Sequence, residues 1–78
     1  MQYNSHTTEL ANFSINGSSV ILYKTETPDF AVIAIIFCDA RTDCVHRFFF
    51  EEDAEAAARK KYASIVKSIV TDLADAIA

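Results

Sequence analysis

Seventy-eight residues, 51% hydrophobic and 23% charged, make one small domain that buries only about 60–65% of the surface its unfolded chain exposes, a core that calls for something added to it. A net charge of −4 and a pI near 4.9 argue against generic binding to nucleic-acid phosphates or to an anionic membrane surface, both of which take clustered Lys and Arg. A single Gly excludes a Gly-rich phosphate loop.

Residues 1–8 read as a frayed start. Met1 to His6 is polar, with no cationic stretch leading into an apolar one, so nothing there reads as a signal peptide and a cytoplasmic location is expected. From residue 9 to 15, Ala11, Phe13 and Ile15 alternate with Asn12 and Ser14, the period of a half-buried strand. Asn16-Gly17 follows, a pair suited to the two positive-φ positions of a type I′ turn. A second strand then runs from Ser19 to about Glu26, with Phe13 facing Val20 and Ala11 facing Leu22.

Thr27-Pro28-Asp29 is a turn, with Pro28 at its second position, and a third strand spans Phe30 to Asp39. That strand is apolar at every position through Cys38 and rich in β-branched residues, and it is half the length a membrane-spanning helix requires. A polar loop, Asp39 to Asp43, leads into a fourth strand from Cys44 to Phe50. From Asp53 the period changes. Ala58, Tyr62, Ile65, Val66, Ile69, Val70, Leu73 and Ile77 recur at spacings of three and four, the stripe of an amphipathic helix over 53–78. Glu51, Glu52, Asp53 and Glu55 place negative charge at the helix N-terminus, where Asp53 or a neighbour is expected to cap free amides. The fold class is α+β: a four-stranded antiparallel meander over 9–50, its third strand interior, followed by one long helix packed on one face (ββββα).

One helix covers one face of such a sheet, yet both faces read as apolar. Phe13, Val20, Leu22, Ile33, Ile35, Phe37, Val45 and Phe49 are assigned to the helix side. Ile21, Tyr23, Val32, Ala34, Ile36, Phe48 and Phe50 are assigned to the other side and form the candidate interface. A protein partner is therefore expected, most economically a second copy related by a two-fold axis, giving a homodimer. The cluster Glu51, Glu52, Asp53 and Glu55 is a candidate acidic contact surface for a basic partner.

No catalytic, cofactor-binding or metal-ligating residue is assigned, and the chain is expected not to be an enzyme. Cys38, Cys44 and His46 gather around one loop, but zinc normally takes four ligands, and a Cys–His pair on one strand lacks a third group to orient the base. Cys38 and Cys44 read first as reduced thiols, with a cross-hairpin disulfide or a metal site as alternatives.

Arg59, Lys60 and Lys61 beside Tyr62 raise a nucleic-acid reading. Four strands followed by one helix over 9–78 are similar to the dimeric single-stranded-DNA-binding fold of transcriptional coactivators, which implies a sheet that binds nucleic acid. Those proteins are basic along the sheet, whereas the first three strands here carry only Lys24. In size, acidic charge and element order the chain also resembles phage or mobile-element inhibitors of bacterial defence of the anti-CRISPR type. That resemblance implies a non-enzymatic module that binds a larger protein complex in a host cytoplasm.

Overall fold

The computed structural model describes residues 5–77, with side chains through residue 75. Its elements are β1 (His6–Ile15), β2 (Ser18–Glu26), β3 (Ala31–Asp39), β4 (Cys44–Glu51), a 3-10 turn (Glu52–Ala54) and α1 (Glu55–Ile77). The strands form one antiparallel sheet in the order β1-β2-β3-β4, with α1 packed across one face. This is the expected ββββα arrangement. Among the described residues, no helix is long and apolar enough to cross a membrane.

The β1–β2 hairpin follows from its turn. Asn16 (φ 50°) and Gly17 (φ 84°) both occupy the left-handed region, and a two-residue loop pairs Ile15 with Ser18, Phe13 with Val20 and Ala11 with Leu22. Toward its start β1 carries a bulge between Glu9 and Ala11, which lets both Leu10 and Ala11 pack on the core. The strand begins at His6, three residues before the alternating pattern does, where Thr7 and Thr8 pair in register with Thr25 and Lys24 and the Thr7 and Thr25 hydroxyls come within hydrogen-bond distance. Residues 1–4 of the expected frayed segment lie outside the described residues.

Between β2 and β3, the Thr27 hydroxyl accepts the amides of Asp29 (3.3 Å) and Phe30 (3.1 Å), closing a four-residue loop. Phe30 therefore belongs to the turn rather than to β3 and is 62% exposed. The next hairpin corrects the sheet more deeply. Residues 40–43 form a four-residue loop, with Asp43 at φ 54°, that pairs Asp39 with Cys44. The assumed parity placed Cys44 opposite Cys38, one residue away, and a slip of one residue exchanges the faces of a whole strand. Phe48 and Phe50, paired with Ile35 and Ile33, thus lie on the helix side and pack against the core. Val45 and Phe49 lie on the other face, 51% and 66% exposed.

The core between sheet and helix is Val20, Leu22, Ile33 and Ile35 against Ala58, Ile65 and Ile69, with Phe13, Phe48, Tyr62 and Val66 closing around it. Burial pushes the Tyr62 phenol above its ordinary pKa. Val70, expected on the stripe, sits at its flank and is 46% exposed. The side chain of Ile77 lies outside the described residues. Glu51 rather than Asp53 occupies the cap of the 3-10 turn, and it makes no side-chain capping hydrogen bond. Asp53 lies one residue inside that turn, so the acidic residues act there through charge alone.

The two faces differ in energetic weight. Leu22→Ala, at a fully buried site, should lower stability by about 2–5 kcal/mol, whereas Val45→Ala should cost under about 0.5 kcal/mol. Urea denaturation checks both, and equal losses would contradict the assignment of faces.

Candidate protein-interaction face

β3 is interior, and its Val32, Ala34, Ile36 and Cys38 point away from the helix. Each stands in a cross-strand row fixed by register. Thr25, Val32 and Glu51 form the first, and its far end is polar, where the hydroxyls of Thr7 and Thr25 lie 3.1 Å apart. Tyr23, Ala34 and Phe49 form the second, followed by Ile21, Ile36 and Arg47, then by Ser19, Cys38 and Val45. Ala34 faces away from the helix yet is only 1% exposed. Its larger row neighbours Tyr23 and Phe49 account for this, since directly opposed Cβ atoms stand only about 4.5–5.5 Å apart. The face is thus an apolar floor with aromatic shoulders and a rim of Glu51, Arg47, Ser19 and Asn12.

Of the expected interface residues, Ile21, Tyr23, Val32, Ala34 and Ile36 share this face, while Phe48 and Phe50 do not. Val45, Arg47 and Phe49 take their place. The signal that could have found them is Asp43, a residue type that tolerates left-handed backbone and so suits the last position of a four-residue loop.

The four acidic residues do not act as one surface. Glu52 pairs with Lys24 at 3.5 Å, and Lys24 also reaches Glu26 at 3.8 Å. Glu55 accepts a hydrogen bond from Arg59 Nε at 2.9 Å, one helical turn on. Among the described residues, Glu51 and Asp53 are exposed with no such pair, and only Glu51 belongs to the open face.

At the opposite end of the molecule a clamp holds sheet to helix. Asp39, buried at the end of β3, accepts the backbone N–H of Arg41 and its Nε and Nη2 groups, each at 3.0 Å. Arg41 also pairs through Nη1 with Asp72 of α1. Asp72 stands five residues before the end of α1 at Ile77, so the pair ties the end of β3 to the C-terminal part of the helix. The hydrogen-bonded Arg41 guanidinium holds the Asp39 carboxyl below its ordinary pKa, and the Asp39 carboxylate in turn raises that of Arg41. Nearby, the backbone N–H of Ala40 donates to Ser18 Oγ at 2.9 Å, joining the two turns at this end. A groove of about 160 Å³ lies beside the clamp, floored by Ile15, Ile69 and Leu73. The charged groups at its rim, Arg41 and Asp72, are already paired with each other.

Cys38 faces the open side and Cys44 the helix side, so their side chains diverge and a cross-hairpin disulfide does not fit; both thiols are free. His46 stacks on Phe37 with ring centroids 5.6 Å apart, and the Cys44 thiol donates to Thr42 O at 3.4 Å. Among the described residues, no three His, Cys, Asp or Glu side chains converge on a common point where a metal could bind. No family model, curated protein or solved structure matches the chain.

The clamp makes stability depend on pH in one direction. Asp39 titrates lower in the folded chain than in the unfolded one, so its contribution is complete above about pH 4 and is lost as pH falls through the folded value. Urea midpoints measured from pH 7 to pH 2 should decline more steeply for the wild type than for Asp39→Asn, which should already be less stable at pH 7. Parallel acid limbs would contradict the clamp.

Proposed function

We propose that the chain is a non-enzymatic protein-interaction module that lays its open sheet face on an apolar surface of a larger, basic partner protein. The observation that carries this reading is an apolar floor of Ile21, Val32, Ala34 and Ile36 with Phe49 66% exposed at its shoulder, on a side that no element among the described residues covers. The proportions of the molecule support it. The chain exposes 5512 Å², where a compact monomer of 8.7 kDa exposes about 4,700 Å². The radius of gyration is 14.4 Å against about 11.5 Å for a compact domain of this length.

The net charge of −4 favours a basic partner and disfavours phosphate. Such a module acts by occupying a surface, and inhibition of a larger complex in a cytoplasm is the biological role most in keeping with its size and charge. The nucleic-acid reading draws on one specific arrangement, Tyr23 and Phe49 flanking Ala34 with Arg47 in the adjoining row, since aromatic and guanidinium planes stack on bases. Against it, Arg47 is the one cation in the described rows of that face, and Lys24 is held by Glu26 and Glu52 on the other side.

Fluorescence polarisation with labelled oligo(dT) across a salt series separates the two. No binding at low salt is expected, whereas salt-sensitive binding lost in Phe49→Ala would overturn the proposal. Affinity capture from a lysate, run in parallel with wild type and Ile36→Asp, whose side chain faces only the open side, should recover a basic protein that the variant loses. Identical capture by both would also count against this face.

A further inference from the structure

We infer that β4 is a self-association edge, which joins two copies of the chain in antiparallel register about a two-fold axis through Phe49. The inference stands apart from the nature of the partner on the open face. A four-stranded sheet ends in two strands with unpaired outer backbone, and such edges are blunted when a protein is to stay separate. β1 is blunted: the bulge between Glu9 and Ala11 breaks its ladder, and His6 to Glu9 is polar throughout. β4 is different. Its residues Cys44–Glu51 pair with β3 without a register shift, contain neither Gly nor Pro, and include no residue of positive φ. Among the described residues its outer side has no partner strand, and all but Phe48 and Phe50 of its residues are exposed.

The segment Arg47-Phe48-Phe49-Phe50-Glu51 is self-complementary when reversed upon itself. Residues directly opposed across an antiparallel pair share a face. With Phe49 opposite its own copy, Arg47 meets the partner's Glu51 on the open face, and the symmetry repeats that ion pair on the other side of the axis. On the helix face Phe48 meets the partner's Phe50, again twice. Neither Arg47 nor Glu51 has an ion-pair partner among the described residues of its own chain.

Shifts that keep each side chain on its own face move the register by whole pairs, and these lose the match. Centring on Phe48 sets Arg47 against the partner's Phe49 and Glu51 against the partner's Val45. Centring on Arg47 opposes two guanidinium groups, which is unfavourable. The Phe49 register alone pairs both charges. It yields one eight-stranded sheet with both helices on the same side and the two open faces side by side, doubling the surface offered to a partner.

Light scattering should give twice the 8.7 kDa chain mass for the wild type. Arg47→Glu and Glu51→Arg, confirmed folded by circular dichroism, should each weaken the dimer roughly tenfold, and the double exchange should restore it, since like charges directly opposed across strands repel and opposite charges attract. In a Cys38→Ser, Cys44→Ser background, Phe49→Cys should oxidise to an interchain disulfide, because opposed Cα atoms lie within about 4.5–5.5 Å, and Val45→Cys should not. A monomeric wild type would overturn the inference while leaving the open-face proposal intact. A dimer that ignores both charge reversals but dissociates in Ile36→Asp would overturn it in favour of face-to-face stacking.

Discussion

An interior strand that is apolar on both sides, with one helix among the described residues to cover it, sets the terms for the rest of this structure. Side chains of a strand alternate, so Ile33, Ile35 and Phe37 go to one face of β3 and Val32, Ala34 and Ile36 to the other. The helix lies over the first set, where Ile33 and Ile35 are fully buried with Leu22 and Val20 beneath Ala58, Ile65 and Ile69. The second set has only its row neighbours. Tyr23 and Phe49 enclose Ala34, and with that the cover ends.

Polar groups hold the layers in place rather than hold the fold together. Arg41 bridges Asp39 at the end of β3 to Asp72 on α1, while Lys24 ties β2 to Glu52 at the start of the helical segment. The solvent-facing pairs Lys24–Glu52 and Arg41–Asp72 contribute little beside the burial of four large aliphatic side chains at about 1.5–3 kcal/mol apiece. Their value is positional: one acts near each end of the helix, and neither lies on the open face. The helix is thereby fixed over β2 and β3, and the opposite side of the sheet keeps its apolar floor.

Much of this was legible in the residues. Asn16-Gly17 dictates a two-residue type I′ loop, which sets the register of β1 on β2 and so the faces of Phe13, Val20 and Leu22. The four residues from Thr27 to Phe30 preserve the parity expected for β3, so Ile21, Tyr23, Ala34 and Ile36 fall together as anticipated. The helix stripe is likewise readable, apart from Val70 at its margin. What the apolar pattern leaves open is the parity of β4. Its residues Cys44–Phe50 do not alternate cleanly, with Phe48, Phe49 and Phe50 in succession, so hydrophobicity leaves their faces undecided. The loop decides them, and the loop depends on a left-handed Asp43 and on the hydrogen bonds from Arg41 to Asp39, neither of which is a pattern of apolar residues. On β4 the open face therefore carries Val45, Arg47 and Phe49 rather than Phe48 and Phe50.

The central claim is that neighbouring residues of one strand serve different purposes, one face building the core and the other remaining free for contact. Replacing Ile35 and Ile36 separately with Asp and following urea unfolding by circular dichroism tests it most directly. Ile35→Asp, which buries an unpaired carboxylate in the core, should abolish the cooperative transition. Ile36→Asp should retain it. Loss of cooperative folding in both variants would mean that the open face is itself part of the core, and would contradict the account.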